Sequence, residues 1–283
     1  MSRVLIAGCG YVGSALAESL AAAGHSVWGL RRRFPGALPG VTSIEADLGL
    51  ASTLAELPPA LDVVFYLASP SGSDEAHYRS AYVVGLGNLL EALEKQRQAP
   101  RRVFFVSSTG VYGHQHGEWV DEKSPTSPRH FSGRRLLEGE ARLRAAPFAA
   151  SVVRLGGIYG PRRTRLIEQV RTGAARYRAD PPHYTNRIHR DDCVGVLRQL
   201  MALPAPADVY LGVDCEPAEE RVVMQWLAGV LGAPVPRPAA PGEVDPRRGN
   251  KRCRNRRLLD TGYTFRYPDF RAGYTALLAE LRP

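Results

Sequence analysis

The sequence predicts an α/β protein, with a doubly wound, mainly parallel sheet and a small C-terminal lobe. Short apolar or β-branched runs alternate with helical patterns through the first half of the chain. A glycine-rich turn directly follows the first of these runs, and clusters of proline and glycine loosen the pattern after Leu155. Continuous apolar strands separated by amphipathic helices indicate a parallel sheet that helices cover on both faces.

The predicted elements follow from these patterns. The predicted strands are Arg3–Ala7, Ser26–Leu30, Thr42–Glu45, Val63–Leu67, Arg102–Ser107 and Ser151–Leu155. The predicted helices are Val12–Ala23, Asp74–Arg97, Ser132–Ala145, Asp191–Ala202 and Pro217–Leu231. Right-handed crossovers between such strands give the doubly wound order. We expect residues 1–160 to form the larger domain and residues 161–283 the smaller lobe, with some exchange of chain between them.

Composition indicates a globular protein of ordinary apolar content. The chain has 283 residues, of which 44% are hydrophobic and 23% charged. No apolar run approaches the length of a membrane span. The short apolar stretch that begins at Val4 runs straight into glycines, which is more typical of a first strand than of a signal peptide. These features predict a cytoplasmic protein with no membrane segment.

The cysteines and the basic residues point to no metal site and favour no nucleic-acid partner. Cys9, Cys193, Cys215 and Cys253 are scattered, with no CxxC pair, and predict free thiols. The formal net charge is +9, and only three of the 37 basic residues are lysines. The basic runs at residues 162–165 and 247–257 contain no aromatic residues of the kind on which bases stack. We therefore expect these arginines to be solvated or to face an anionic small molecule.

A phosphate-binding turn is predicted where the first strand meets the first helix. The segment from Gly8 to Gly13 reads Gly-Cys-Gly-Tyr-Val-Gly, so Tyr11 and Val12 lie between the second and third glycines. The first glycine permits the tight turn, the second lets a pyrophosphate approach the backbone, and the third lets helix and strand pack closely. The helix N-terminus attracts the anion. Together these features predict a Rossmann-type dinucleotide-binding domain.

The end of the second strand indicates which dinucleotide binds. Sites for NAD usually place an acid there to bind the ribose hydroxyls. This chain has Arg31, Arg32 and Arg33 instead. A guanidinium group can clamp a 2′-phosphate with two parallel hydrogen bonds, whereas a carboxylate would repel it. The sequence therefore favours NADP(H) over NAD(H).

Further segments, in order along the chain, carry a family resemblance. They are Ala46–Leu48, Tyr66–Ser69, Val84–Ala92, Val106–Gly113, Arg154–Pro161, Asn186–Asp192 and Lys251–Pro268. Together with the glycine turn, they resemble the extended and atypical short-chain dehydrogenase/reductases, the NAD-dependent epimerase/dehydratase family, over almost the whole chain.

The resemblance implies roles for particular residues. Those it implies at the cofactor are Asp47, Leu48, Leu67, Ala68, Ser69 and Ser107. Those it implies at the substrate are Tyr112, Arg154, Arg187 and His189. It also implies a homodimer formed through the predicted helices Asp74–Arg97 and Ser132–Ala145, and nucleotide sugars as a substrate class.

The catalytic centre departs from the family's pattern. The family uses a tyrosine as proton donor, a lysine four residues later that lowers the pKa of that tyrosine, and a serine or threonine that holds the substrate oxygen. Ser108 matches the serine, but Phe131 takes the place of the tyrosine and Arg135 that of the lysine. Phenylalanine has no proton to donate, so the standard mechanism cannot operate at this position.

Three interpretations stay open on the sequence. The first is an NADP(H)-dependent oxidoreductase or epimerase/dehydratase-like enzyme that acts on a small molecule and takes its proton from another group. Candidates for that group are His130, beside Phe131, and Tyr112, His114 and His116, which follow the serine segment. The second is a catalytically impaired sensor of the NADP(H) redox state with a protein partner. The third is a non-redox use of the fold to hold a phosphorylated ligand.

Overall fold

The protein, a computed structural model in which residues 1–240, 243 and 249–281 are described, forms two compact units. The first unit comprises Met1–Val111, Pro128–Arg154 and Val196–Tyr210. The second comprises Tyr112–Ser127, Leu155–Gly195 and Leu211–Pro283. The division at residue 160 that the sequence predicts remains a prediction.

Helices and strands alternate along the chain. Helices α1 to α9 are Tyr11–Ala22, Glu75–Arg79, Gly85–Lys95, Phe131–Ala145, Arg165–Arg171, Arg190–Ala202, Glu220–Leu231, Arg256–Leu259 and Phe270–Glu280. Strands β1 to β15 are Arg3–Ala7, Ser26–Arg31, Val41–Glu45, Val63–Tyr66, Arg102–Ser108, Glu118–Val120, Ala150–Leu155, Gly157–Tyr159, Arg176–Tyr177, Tyr184–Thr185, Arg187–His189, Val209–Gly212, Ala218–Glu219, Arg237–Pro238 and Lys251–Cys253. Within the described residues, no helix is long and apolar enough to cross a membrane.

A seven-stranded sheet confirms the predicted fold class. Its strand order is β12-β7-β5-β4-β1-β2-β3. The pairs β1–β2, β2–β3, β1–β4 and β4–β5 are parallel. From β1 the chain moves outward through β2 and β3, and then returns to build the other half of the sheet from β4. The sheet is therefore doubly wound, and its order reverses beside β1.

The core of the first unit explains why its strands are continuously apolar. All four residues of β4, from Val63 to Tyr66, are fully buried. Phe65 stacks on Phe104 of the neighbouring strand, with ring centroids 4.9 Å apart. A strand covered on both faces has no side that can carry polar residues.

Short two-stranded pairs and a separate core characterise the second unit. The pairs are β8–β11, β6–β15, β9–β14 and β10–β13. Its buried cluster includes Tyr159 and Tyr274, whose ring centroids lie 4.6 Å apart, and Phe270, whose ring packs edge-on against Trp226. The sequence predicted the helix here at Pro217–Leu231. That helix begins at Glu220 because Ala218 and Glu219 pair with β10.

The predicted helix Asp74–Arg97 is divided in the structure. A π-helical segment, Ser80–Val84, joins α2 to α3. The carbonyl oxygen of Tyr82 in this segment lies against Gly139 of α4, where an added Cβ would be 2.4 Å from it. Close helix packing therefore requires glycine at position 139.

We expect two helical glycines to respond to alanine in opposite directions. Gly139→Ala should lower the free energy of unfolding by about 1–3 kcal/mol, because the methyl group clashes with backbone. Gly229→Ala, in α7 with no atom within 4 Å of the new Cβ, should raise it by about 0.5–1 kcal/mol. Urea unfolding midpoints measure both variants, and a shift of the same sign in both would contradict the packing described here.

Candidate functional site

The three glycines of the predicted phosphate-binding turn have three different environments. Gly8 has φ +97°, and a Cβ there would lie 2.3 Å from the backbone nitrogen of Ala68. A Cβ on Gly13 would lie 2.4 Å from the carbonyl oxygen of Gly8. The atom nearest to a Cβ on Gly10, by contrast, is the carbonyl oxygen of Gly8, 4.0 Å away. Gly8 and Gly13 thus serve the protein's own packing, whereas the space beside Gly10 is open to a ligand.

Helix α1 begins directly after this open space. Gly10 is the residue before its first turn, and that turn contains no acidic residue. The Ser14 amide donates to the carbonyl oxygen of Gly10 (2.8 Å), and the Ser14 hydroxyl donates to that of Cys9 (3.1 Å). The amides of a helix's first turn have no acceptor within the helix and carry a partial positive charge. An anionic pyrophosphate fits this cradle, and Ser14 fixes its shape.

Cys9, inside the turn, belongs to the protein interior. The residue is fully buried, and burial raises the pKa of its thiol. A Cβ on Gly29 of β2 would lie 2.8 Å from its sulfur atom. Gly29 therefore makes room for Cys9, a requirement that the sequence analysis did not identify.

Three arginines follow one another at the end of β2. Arg31 is half-buried, with its guanidinium 5.6 Å from the ring centroid of Phe34, while Arg32 and Arg33 are exposed. Glu45 of β3 is the register partner of Arg31, and its carboxylate accepts a hydrogen bond from the Phe34 amide (3.1 Å). In the described part of the chain, none of the three guanidinium groups forms an ion pair with a carboxylate.

The predicted cofactor-lining loops follow β3 and β4. Asp47 accepts a hydrogen bond from the Gly49 amide (2.9 Å), and the carbonyl oxygen of Leu48 accepts one from the Asn88 amide group (2.8 Å). The Leu67 amide donates to Ala7 of β1 (2.7 Å), which places Ala68 and Ser69 next in the chain beside the glycine turn. Because β3, β2, β1 and β4 are adjacent parallel strands, their carboxyl ends lie along one edge of the sheet.

Ser108 and Phe131 lie at the predicted catalytic centre. Ser108 ends β5, and its hydroxyl accepts a hydrogen bond from the Gly110 amide (3.1 Å). Phe131 is the first residue of α4, and its ring packs edge-on against Tyr78 of α2 with centroids 5.5 Å apart. The ring of His130 lies 3.9 Å from that of Phe131.

His130 has a local structural role at the start of α4. Its Nδ1 accepts a hydrogen bond from the Ser132 amide (3.3 Å) and lies 2.9 Å from the Ser132 hydroxyl. This contact caps the helix N-terminus. Because Nδ1 accepts, the neutral ring carries its proton on Nε2. The role of His130 as a substitute proton donor remains a prediction.

Arg135 is held by carboxylates on two helices. Its guanidinium donates to Glu75 of α2 through Nη2 (2.7 Å) and Nε (3.1 Å), and to Glu138 of α4 through Nη1. The two hydrogen-bonded carboxylates raise the pKa of Arg135 further above its usual value. The arginine therefore ties α2 to α4, and its charge is compensated by both neighbours.

Ser107 and Arg154 share a buried carboxylate. Arg154 donates to Glu140 through Nε (3.0 Å) and Nη2 (2.7 Å), and the Ser107 hydroxyl donates to the same group (2.8 Å). Glu140 is fully buried. Glu140 was not predicted from the sequence, although it lies on the buried stripe of α4 between Leu136 and Leu143, at helical spacing. An acid in such a stripe indicates a buried partner.

The predicted substrate residues of the second unit are also buried. The Tyr112 hydroxyl donates to the carbonyl oxygen of Asp121 (2.8 Å), and Arg187 donates to the Thr185 hydroxyl. His189 is 2% exposed, and burial lowers its pKa to about 4. Its imidazole is therefore neutral near neutral pH. The substrate roles of Tyr112, Arg154, Arg187 and His189 remain predictions.

Two arginines of the basic run at residues 247–257 contact an aromatic ring that is distant in the sequence. Arg247 and Arg248 lie outside the described residues. The guanidinium groups of Arg252 and Arg254 lie 4.8 and 5.0 Å from the ring of Trp119. Pairing of β15 with β6 brings this tryptophan to the run. The sequence could not show the contact because the two segments are more than 130 residues apart.

Among the residues that the structure describes, no group of three or more His, Cys, Asp or Glu side chains could hold a metal ion. All four cysteines are free.

Solved structures of known proteins share this fold. A candidate NAD-dependent epimerase/dehydratase from Methylobacillus flagellatus is 40% identical, with a TM-score of 0.82 over 100% of this chain and 99% of its own. MoeE5, solved with UDP-glucose and NAD, is 23% identical with a TM-score of 0.81, and covers 99% and 98% of the two chains. Human SDR39U1, solved with NADPH, is 22% identical with a TM-score of 0.80, and covers 98% and 99%.

Sequence comparison agrees with this fold. Protein YeeZ from Escherichia coli K12 is 29% identical over 95% of this chain and 97% of its own. The NAD dependent epimerase/dehydratase family model matches residues 4–193, about two thirds of the 283 residues. This range includes the glycine turn and the Ser108 region. The chain therefore belongs to the NAD-dependent epimerase/dehydratase family.

Proposed function

We propose that the protein binds NADP(H) and performs oxidoreductase or epimerase/dehydratase-type chemistry on a small molecule of the nucleotide-sugar class. The observation that carries the proposal is the phosphate cradle, which has open space beside Gly10 at the start of α1. At the end of the adjacent strand β2 are arginines that form no ion pair within the described residues. In this proposal residues 1–160 hold the cofactor, and residues 161–283 contribute most of the substrate contacts.

The preference for a phosphorylated cofactor rests on charge. A 2′-phosphate beside Arg31 and Arg32 would meet two guanidinium groups that form no ion pair within the described residues. The acid nearest along the sheet, Glu45, accepts a hydrogen bond from the Phe34 amide. The NADPH bound to human SDR39U1 supports this choice, and the NAD bound to MoeE5 is the alternative.

In this proposal, different residues around the cofactor bind its parts and hold the substrate. The nicotinamide supplies the hydride acceptor or donor when the cofactor is bound. Gly10 and the start of α1 bind the pyrophosphate, Asp47 and Leu48 lie at the adenine, and Ser108 holds the substrate oxygen. The UDP-glucose bound to MoeE5 supports a nucleotide sugar as the substrate class.

A second candidate function is an NADP(H)-binding redox sensor with little turnover. The observation that favours it is the pair Phe131 and Arg135. Phe131 has no hydroxyl, and Arg135 is engaged by Glu75 and Glu138. A sensor must bind the reduced and the oxidised cofactor with different affinities, because only then does the redox state change how the protein interacts with a partner.

Cofactor titration at constant salt tests the first proposal. NADPH and NADP⁺ should bind at least about tenfold more tightly than NADH and NAD⁺, since a charge-assisted hydrogen bond contributes about 1.5–3 kcal/mol. Arg31→Ala and Arg32→Ala should each remove most of that preference and leave NADH affinity unchanged. Arg237→Ala, an exposed arginine of the second unit, is the control. Equal affinity for NADH and NADPH would overturn the assignment.

Steric variants of the glycine turn test the cradle separately. Gly10→Ala puts a methyl group into the open space, so NADPH affinity should fall by about tenfold or more while the unfolding free energy changes by less than about 1 kcal/mol. Gly8→Ala should destabilise the fold itself, because its Cβ meets the Ala68 backbone and its φ is positive. Calorimetric titration and urea unfolding of both variants give the two readouts. Unchanged NADPH affinity in Gly10→Ala would place the cofactor elsewhere.

The double variant Phe131→Tyr, Arg135→Lys distinguishes the enzyme from the sensor. If the natural protein has lost the proton donor, the variant should gain oxidation of NADPH by carbonyl substrates, followed through the absorbance of the reduced nicotinamide. Arg135→Lys alone is the control. It should cost less than about 1 kcal/mol of stability, because the ion pairs of Arg135 with Glu75 and Glu138 are partly exposed. Efficient turnover by the natural protein would instead show that another group donates the proton.

A further inference from the structure

Trp119 is the one exposed Phe, Tyr or Trp residue in the part of the chain that the structure describes. Its exposed fraction is 44%. The guanidinium groups of Arg252 and Arg254 lie 4.8 and 5.0 Å from the centroid of its ring. All three residues lie in the second unit, where the pairing of β15 with β6 makes Arg252 the register partner of Trp119. An indole and two cations thus form one surface, which we call the Trp119 patch.

The alternation of β15 directs both arginines to the outside. Lys251 and Cys253 are buried. Arg252 is half-buried and Arg254 is exposed. The Arg254 amide donates to the carbonyl oxygen of Val120 (2.9 Å), so the extended pairing continues one residue beyond β15. Because alternate side chains of an extended strand lie on the same face, the two arginines project together from Cα atoms about 6.6 Å apart.

Arg252 is held in place by the protein itself. Its guanidinium also lies 4.8 Å from the ring of Tyr184, and its Nε donates to the carbonyl oxygen of Gly117 (2.7 Å). Gly117 has φ +75°, and a Cβ there would lie 3.0 Å from the Tyr184 ring, so glycine lets that ring pack against the backbone. A side chain that is ordered in advance loses less conformational entropy when it binds a ligand.

Neither arginine of the Trp119 patch has a carboxylate partner. Within the described residues, the two guanidinium groups form no ion pair, and that of Arg254 forms no hydrogen bond. Glu118, beside Trp119 in β6, alternates to the opposite face and accepts a hydrogen bond from the His116 amide (2.8 Å). A guanidinium that stacks on a ring keeps its N–H groups at the edge of its plane, where they can bind a carboxylate bidentately.

The other basic residues between positions 249 and 257 are compensated or buried. Arg256 donates to Asp260 (2.7 Å), and the guanidinium of Arg257 lies 3.9 Å from the carboxylate of Glu122. Lys251 is buried. In this segment, the two arginines of the Trp119 patch are therefore the cations available to an anionic partner.

Two cations on one covered ring favour an acidic protein segment over a nucleic acid. Nucleic-acid surfaces neutralise several phosphates and stack bases on open aromatic faces. Here the ring of Trp119 already carries two guanidinium groups. Alternate side chains of an extended peptide, in contrast, have the same spacing of about 6.6 Å as Arg252 and Arg254, so two carboxylates can each meet one guanidinium.

We propose that the Trp119 patch docks an acidic, extended segment of a partner protein. The net charge of +9 attracts such a segment toward the chain at long range. The patch lies within the second unit and its contacts involve no cofactor, so this proposal stands independently of the proposed function.

Fluorine NMR can observe Trp119 directly because the chain has three tryptophans. Labelling with 5-fluorotryptophan gives one signal for each, and Trp119→Phe assigns the signal of interest by its loss. The probe is a hexapeptide in which glutamate and serine alternate, and the control peptide has glutamine in place of glutamate. We expect the glutamate peptide, and not the control, to shift the Trp119 signal while those of Trp28 and Trp226 stay unchanged. A Trp119 signal that does not respond to the glutamate peptide would overturn the proposal.

Variants of equal charge separate the patch from the basic surface as a whole. Arg252→Gln and Arg254→Gln should each weaken binding of the glutamate peptide by at least about fivefold, because each removes a charge-assisted hydrogen bond. Arg256→Gln is the matched control. It lies in the same run and changes the net charge equally, but its side chain is bound to Asp260, so peptide affinity should stay unchanged.

Two outcomes of this series contradict a docking role. An equal loss of affinity in Arg256→Gln would show diffuse attraction to a basic chain. A lower urea midpoint with unchanged peptide affinity in Arg252→Gln would show that the arginines only cover Trp119.

Two further titrations examine other occupants of the patch. Hexathymidylate represents nucleic acid and inorganic phosphate represents a small anion, both at the ionic strength of the peptide titration. Neither should shift the Trp119 signal at concentrations where the glutamate peptide does. A shift with hexathymidylate and none with the peptide would assign the patch to nucleic acid, and an equal shift with phosphate would reduce it to a general anion site. Each of these results would refute an acidic protein partner.

Discussion

The seven-stranded sheet and the start of α1 depend on one close backbone approach, between the turn that follows β1 and the loop that follows β4. At Gly8 only a hydrogen atom fits against Ala68, and the backbone has positive φ. On the other side, the amides of Gly8 and Cys9 both donate to the carbonyl oxygen of Leu30 at 3.0 Å. The turn is thus clamped between the two neighbours of β1. Because α1 starts from this turn, its N-terminus is held at the point where the strand order reverses.

The parts of this arrangement that could be predicted from sequence are those set by local requirements. Buried strands must be continuously apolar, and a tight turn against backbone needs glycine, so the runs and the glycine spacing predicted the sheet and the cradle. Strand β12 was missed because four residues, Val209–Gly212, carry little pattern of their own. Its place is set by long-range pairing, such as the bond from the Val152 amide to the carbonyl oxygen of Asp208 (2.8 Å). Glu75, which binds Arg135 from another helix, was missed for the same reason.

Phe131 and Arg135, which the family resemblance places at the positions of the catalytic tyrosine and lysine, are connected through α2. Phe131 packs against Tyr78, and Arg135 binds Glu75, three residues before Tyr78 on the same helix. A lysine offers one compact ammonium, whereas a guanidinium can engage Glu75 and Glu138 at once. Phenylalanine at position 131 has no hydroxyl group whose pKa a neighbouring positive charge would have to lower. The pair therefore has a consistent structural role in joining α2 to α4. The cradle, in contrast, keeps open space at Gly10 that no packing of the protein requires. The open space at Gly10 therefore does not depend on which residues stand at positions 131 and 135.

Buried carboxyl groups in this chain are compensated in different ways. Glu140 is satisfied by Arg154 and Ser107, and Asp192 accepts hydrogen bonds from the Tyr263 hydroxyl (2.7 Å) and two backbone amides. Burial raises the pKa of Asp214 to about 8, so this carboxyl group can hold a proton and be uncharged near neutral pH. These buried carboxyl groups are thus compensated by pairing, by hydrogen bonding or by protonation, because an uncompensated charge inside a protein costs on the order of several kcal/mol.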